Sequence, residues 1–145
     1  MLAKLDLASN RMNVLIVDDD EDDVFLMCNA IDSRMGNYPF QISRKVANDG
    51  VAGIEIAKSL VGTDAAPDLM LLDLNMPRLD GFGVLSKVRE TPELRHIPIV
   101  VITTTADPDT FDKATALGAN GVVTKPRSAE AFDKIIDVVF DTWLV

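Results

Sequence analysis

The 145-residue sequence has one cysteine and no apolar run long enough to cross a bilayer. A single cysteine, Cys28, excludes an intrachain disulfide framework and a cysteine-based zinc site. A membrane-spanning helix needs about 18 or more consecutive apolar residues, so we expect no membrane association. The N-terminal stretch lacks the apolar core of a secretory signal. These absences favour a cytoplasmic location.

Positive charge is also scarce. The chain carries 14 lysines and arginines against 23 aspartates and glutamates, which gives a formal net charge of −9. Proteins that bind nucleic acids normally present a basic face that displaces counterions from phosphates. The basic residues here form no cluster, so we expect no nucleic-acid binding. The acidic balance suits a cation ligand or a basic partner instead.

Short apolar runs alternate with segments of helical periodicity along the chain. Such alternation predicts βα units, a parallel sheet and helices on both of its faces. We therefore predict an α/β fold with a doubly wound, five-stranded parallel sheet. It forms one domain over residues 12–145, preceded by a leader at residues 1–11. The predicted strands are residues 12–17, 40–46, 69–72, 98–102 and 122–124.

Polar side chains follow four of the five predicted strands. Asp18 and Asp19 come after the first strand, Asp73 after the third, Thr103 after the fourth and Lys125 after the fifth. In an open α/β sheet, ligands bind outside the carboxyl ends of the strands. If the strands are parallel, these five side chains converge on one edge of the sheet.

The chemistry of this group restricts what it can do. Carboxylates gathered in one cleft repel each other, so either their pKa values rise or a cation holds them. Mg²⁺ takes oxygen ligands from one or two carboxylates and keeps waters that substrate phosphate oxygens can replace. A nearby lysine and a threonine hydroxyl can stabilise phosphoryl oxygens. Together, these side chains predict an aspartate nucleophile that accepts a phosphoryl group.

Simpler explanations exist for parts of the pattern. Acidic residues at 20–23 complement the dipole of a helix that begins there, and this alone could explain them. An EF-hand loop that starts at Asp18 fails, because Asp23 stands where glycine is needed and Asn29 where glutamate is needed. Asp73, Thr103 and Lys125 are each weak evidence alone. Their joint placement at strand ends is what indicates a site.

At this point the sequence resembles the receiver domain of two-component response regulators over residues 12–143. The first strand and its acidic pair match, as do the segments around the phosphoacceptor, the switch threonine and the lysine-proline pair. The matching segments are VLIVDDD at 14–20, LMLLDLNMPRLDGFGVL at 69–85, IPIVVITTTA at 97–106 and GANGVVTKPRS at 118–128.

The resemblance implies a flavodoxin-like (βα)5 receiver fold and a phosphorylation-controlled interaction module without DNA-binding output. Asp73 would accept the phosphoryl group from a sensor histidine kinase, and Lys125 and Thr103 would contact it. The chain would assist its own phosphorylation and dephosphorylation without being an enzyme in the usual sense. The implied Mg²⁺ ligands are Asp18, Asp19, Asp73 and the backbone carbonyl of Asn75.

The resemblance also implies details and shows departures. It implies a cis bond between Lys125 and Pro126, and an inward movement of Thr103 on phosphorylation. Val122 occupies a position that is often aromatic in the family, so the usual threonine–aromatic relay is in doubt. Loop lengths resemble those of single-domain regulators paired with phytochrome-type and other kinases.

Two further alternatives come from other classes of protein. A haloacid-dehalogenase-type phosphatase needs a second carboxylate two residues after its nucleophile, and that position holds Asn75. A receiver-like scaffold without phosphorylation would lack one of the site elements, and none is lacking.

The chain ends with Trp143, Leu144 and Val145, which is more apolar than is usual for a free terminus. We expect these residues either to pack on their own domain or, together with the last helix, to form a homodimer.

Overall fold

The computed structural model describes residues 11–144, in which strand and helix alternate five times. The strands are Arg11–Val17 (β1), Gln41–Ala47 (β2), Leu69–Leu72 (β3), Ile99–Thr103 (β4) and Gly121–Thr124 (β5). The helices are Glu21–Asp32 (α1), Gly50–Ser59 (α2), Gly81–Glu90 (α3), Pro108–Ala116 (α4) and Ala129–Trp143 (α5). The leader expected at residues 1–11 lies outside the described residues, apart from Arg11, which begins β1.

All five strands are parallel, in the spatial order β2-β1-β3-β4-β5. Successive residues of a strand point to opposite faces of the sheet, so the sheet separates two apolar clusters. Val14 and Ile16 belong to one cluster, with α1 and α5, while Leu15 and Val17 belong to the other, with α2 and α3. The predicted doubly wound α/β fold is confirmed.

Each helix begins with a polar residue that caps it. The side chains of Asp49, Asp80 and Ser128 each accept a hydrogen bond from a backbone amide in the first turn of the following helix. Asp20 and Asp107 do the same for α1 and α4. Such caps stabilise a helix by about 1 kcal/mol each. They fix the points at which the chain turns from the carboxyl edge of the sheet into each helix.

The apolar C-terminal residues pack on their own domain. Leu144 is buried in the cluster beneath α1 and α5, and Trp143 packs against the same cluster. A Cβ atom at Gly121 would lie 2.8 Å from the Trp143 ring, so glycine makes room for the indole. Packing on the same domain is confirmed for these two residues, and Val145 lies outside the described residues. No helix in residues 11–144 has the length and apolar content to cross a bilayer.

Candidate functional site

The strand register brings the predicted site residues to one edge of the sheet. Val17 and Leu72 are partners in the β1–β3 ladder, so the residues that follow them, Asp18 and Asp73, leave the sheet side by side. The amide of Asp73 donates to the carbonyl of Val17 over 2.9 Å. On the other side, the amide of Lys125 donates to the carbonyl of Thr103 over 2.6 Å. The predicted convergence is confirmed.

Asp18, Asp19 and Asp73 form a cluster that could hold a metal ion. One carboxylate oxygen from each lies within 4.8 Å of the others. Asp18 and Asp73 are buried, with 2% and 5% of their surface exposed, while Asp19 faces solvent. An oxygen-only set that is open to water on one side suits a hard divalent cation, which keeps part of its water shell.

Lys125 supplies positive charge to this cluster. Its Nζ lies 2.7 Å from Oδ2 of Asp23, 3.0 Å from Oδ2 of Asp18 and 3.5 Å from Oδ1 of Asp73. Its side chain is only 6% exposed. The Asp18 oxygen is within ion-pair distance but lacks a hydrogen bond of good geometry from any described residue. It therefore keeps a lone pair that a bound cation could use, so the residues present fit a divalent ion.

The sequence did not identify Asp23 as part of the site. It belongs to the acidic run that the helix dipole explained, and its contact with Lys125 joins residues far apart in the chain. Asp23 lies in the first turn of α1, which begins beside the end of β1. A signal was available: a side chain in that turn is close enough to the sheet edge to meet the lysine that follows the last strand.

Burial and charge change the acidity of three site groups. Burial, followed by repulsion from Asp73, raises the pKa of Asp18 to about 6, although a hydrogen bond from the Asp20 amide opposes the rise. Burial also raises the pKa of Asp73, and Lys125 only partly offsets the effect. Burial alone would lower the pKa of Lys125, but the hydrogen bond that Lys125 donates to Asp23 and the charge of Asp18 outweigh it and raise that pKa. The raised pKa values indicate that Lys125 alone does not compensate the negative charges of Asp18 and Asp73.

Thr103 and Asn75 complete the surroundings of Asp73. Thr103 is fully buried, and its hydroxyl has no hydrogen-bond partner among the described residues. An unpaired buried hydroxyl costs about 1–3 kcal/mol, so this group is available to an added oxygen atom. The backbone amides of Leu74 and Asn75 donate to the Asp73 carboxylate. The Asn75 carbonyl as a metal ligand stays a prediction.

The expectation of a cis bond between Lys125 and Pro126 is wrong. Every peptide bond in residues 11–144 is trans. The trans form is the lower-energy state even before proline, by about 0.5–1 kcal/mol. The backbone bond from Lys125 to Thr103 and the side-chain bond from Lys125 to Asp23 form with that trans bond in place.

The sequence matches a family model described as "Response regulator receiver domain" over residues 14–137. A probable chemotaxis protein CheY of Rhizobium etli is 33% identical, and the alignment covers 91% of this chain and 95% of that protein. The response regulator Rcp1 of Synechocystis sp. is 29% identical, over 90% of this chain and 88% of that protein.

Solved structures give the same result. The phosphorylated cyanobacterial phytochrome response regulator RcpA superposes with a TM-score of 0.80 at 28% identity, over 92% of this chain and 94% of that one. The Mn²⁺-bound form of Rcp1 superposes with a TM-score of 0.77 at 27% identity, again over 92% and 94% of the two chains. The strand order, the clustered carboxylates and these matches agree: this chain belongs to the response regulator receiver domain family.

Proposed function

We propose that Asp73 is the phosphoacceptor of this receiver domain and that a sensor histidine kinase is its phosphoryl donor. The observation that carries the proposal is the surroundings of the Asp73 carboxylate. A buried ammonium and two further carboxylates lie around it, and Thr103, at the end of the neighbouring strand β4, has an unpaired buried hydroxyl. The hydroxyl and the ammonium offer hydrogen-bond donors to phosphoryl oxygens, while the carboxylates offer ligands to a cation.

In the reaction, a carboxylate oxygen of Asp73 attacks the phosphorus of the donor phosphohistidine. A P–O bond forms as the P–N bond breaks, and the imidazole leaves with the electron pair of the broken bond. A divalent ion held by Asp18, Asp19 and Asp73 would supply positive charge to the transferred oxygens. Lys125 provides a second positive charge, and the amides of Leu74 and Asn75 orient the attacking carboxylate. The chain supplies positioning and charge, and no side chain has to move a proton.

The ion is proposed to be Mg²⁺, held by Asp18, Asp19 and Asp73 with the backbone carbonyl of Asn75. The similarity to the Mn²⁺-bound form of Rcp1 supports a divalent ion, and the Asp18, Asp19 and Asp73 cluster is where this chain could hold it. Mg²⁺ prefers oxygen ligands and retains waters that phosphoryl oxygens can replace. A cytoplasmic location, which the sequence favoured, is also proposed.

The proposed output is a change in affinity for a protein partner. The neighbouring structures of phytochrome response regulators favour a kinase of the phytochrome type. The phosphatase alternative is not supported, because the site has an amide at Asn75 where that chemistry needs an acid–base carboxylate. We expect the chain to assist its own phosphorylation and hydrolysis without turning over an external substrate.

A homodimer through α5 is also proposed, on a different basis from that suggested by the sequence. Trp143 and Leu144 pack on their own domain, but Val138 on α5 is 64% exposed. Sedimentation should show a dimer that Val138→Asp weakens, with Lys58→Gln, at an exposed position of α2, as the control for the same change in net charge. A monomer at high micromolar concentration would exclude the dimer.

The phosphoacceptor is tested with a small phosphodonor and Mg²⁺. Intact mass should show one added phosphoryl group on the wild type, none on Asp73→Asn, and one on Asp112→Asn, which removes an exposed carboxylate of α4. Phosphorylation that persists in Asp73→Asn would contradict the assignment. Sustained hydrolysis of many phosphoesters per molecule would favour a phosphatase.

A further inference from the structure

Asp23 reaches Lys125 from a helix, whereas the other two carboxylate partners lie at strand ends. The contact from Asp23 Oδ2 to Nζ, at 2.7 Å, is the shortest of the three. The Asp23 side chain keeps 21% of its surface exposed, far more than Asp18 or Asp73. Asp23 also stands outside the trio of carboxylates whose oxygens lie within mutual reach of one cation. It is bound to the lysine without being placed to bind the metal.

The lysine has a limited number of hydrogen bonds to offer. An ammonium carries three donors, and in the structure three carboxylates surround it within 3.5 Å. A phosphoryl group on Asp73 would bring further acceptor oxygens and a charge of about −1.5 to −2. The ammonium would then have to be shared between Asp23 and the phosphoryl group. Asp23 therefore competes with that group for Lys125.

Asp23 also acts on the phosphoryl group directly through its charge. The Asp23 and Asp73 oxygens both lie within 3.5 Å of Nζ, so they are at most about 6 Å apart. Like charges at this separation repel more strongly near buried groups than in bulk water. The repulsion grows when Asp73 carries a phosphoryl group in place of a single negative charge. The same negative charge attracts a metal cation in the neighbouring trio.

We propose that Asp23 is a positioning residue that favours binding of the cation at this site and disfavours binding of the phosphoryl group. It retains the Lys125 ammonium and adds a negative charge, so it weakens phosphoryl binding and strengthens metal binding. This inference rests on the proposed function, in which Asp73 carries the phosphoryl group beside a divalent ion.

The test uses Asp23→Asn, which keeps an acceptor oxygen for Lys125 but removes the charge. Beryllofluoride, a phosphoryl analogue, is titrated calorimetrically at saturating Mg²⁺, and Mg²⁺ is titrated separately without the analogue. We expect beryllofluoride to bind the variant about threefold or more tightly than the wild type, and Mg²⁺ to bind it about threefold or more weakly. Asp23→Ala, which removes the acceptor as well, should show the same pair of shifts.

The control is Asp22→Asn, one residue earlier in the same helical turn. It removes the same formal charge, but its side chain is exposed. Both of its affinities should stay within about twofold of the wild type. Beryllofluoride affinity that is unchanged or lower in Asp23→Asn would overturn the inference, as would equal effects of the two variants. If the wild type itself binds no beryllofluoride, the proposed function fails instead.

Discussion

The α-carbon of Gly81 faces the backbone carbonyl of Asp73 so closely that there is no room for a side chain. A Cβ atom at Gly81 would overlap that carbonyl oxygen and would lie 2.7 Å from the Cα atom of Leu74. Both neighbours are backbone atoms, so neither can rotate away. Helix α3 thus begins directly against the backbone of Asp73, the proposed phosphoacceptor.

Gly81→Ala should therefore damage both stability and the site. We expect the free energy of unfolding to fall by about 2 kcal/mol or more, because the clash with backbone forces α3 away from β3. The affinity for Mg²⁺ should fall as well. Chemical denaturation and calorimetry measure the two effects.

Gly83→Ala is the matched control, in the same turn of the same helix. Its added Cβ would meet the end of the flexible Leu79 side chain, which can move. Alanine also favours a helix over glycine by up to about 1 kcal/mol. A cost for Gly83→Ala as large as that for Gly81→Ala would contradict the role assigned to Gly81.

The raised pKa of Asp18 predicts how stability depends on pH. An unperturbed aspartate has a pKa of 3.8, whereas that of Asp18 in the fold is about 6. A raised pKa contributes stability that is fully present below pH 3.8 and is lost as the pH rises through about 6. Between these values, the metal-free protein should lose on the order of 2–3 kcal/mol from this group.

Asp18→Asn isolates that contribution, since its side chain does not titrate. The difference in unfolding free energy between this variant and the wild type should grow in favour of the variant from pH 4 to pH 7. Added Mg²⁺ should stabilise the wild type more at pH 7.5 than at pH 5, because protons compete with the cation for the carboxylates. A difference in unfolding free energy that does not change with pH would show that burial does not destabilise the ionised form of Asp18.

Asp73→Asn should stabilise the metal-free protein while it removes phosphorylation. Burial raises the pKa of Asp73 despite the nearby lysine, so the ionised carboxylate is less stable in the fold than in the unfolded chain. We expect the free energy of unfolding at pH 7.5 to rise, because the variant removes a carboxylate that burial destabilises. Thermal or urea denaturation without divalent ions measures the change, and a loss of stability would contradict it.

Arg89 stabilises the opposite end of the sheet. Its guanidinium donates five hydrogen bonds, to the carbonyls of Gly118, Arg95 and Ile97 and to the side-chain oxygen of Asn120. The side chain of Asn120 in turn accepts from the amide of Ile99, at the start of β4. The planar fork of arginine thus joins the loops before β4 and β5.

Arg89→Lys should cost about 1–3 kcal/mol, because an ammonium cannot satisfy these separate oxygens. Affinity for Mg²⁺ should stay unchanged, since the site lies at the other edge of the sheet. Arg95→Lys, an exposed position, is the control and should be nearly neutral. Equal stability of the two variants would show that the Arg89 bonds contribute little.

The sequence predicted those residues of the site that directly follow strands. Asp18, Asp73, Thr103 and Lys125 could be placed because parallel strands bring their carboxyl ends to one edge. The position of Asp23 in the first turn of α1 indicates that it lies near this edge, but its contact with Lys125 also depends on how α1 is rotated relative to the end of β5, which the sequence does not show. The Arg89 bonds to distant loop carbonyls escaped prediction for the same reason.

Two other expectations depended on small energies or on local context. The isomer of the Lys125–Pro126 bond is decided by about 1 kcal/mol, which resemblance to a family could not resolve. The apolar C-terminal residues suggested either packing within the domain or a dimer. The space at Gly121, into which Trp143 packs, is visible only once β5 and α5 are placed.

Titration with Mg²⁺ tests most directly whether these side chains surround one cation. The wild type should bind a single ion, Asp73→Asn should bind it about tenfold more weakly or worse, and Lys125→Met should bind it more tightly because a competing positive charge is gone. Equal Mg²⁺ affinity in the wild type and Asp73→Asn would contradict the site as described.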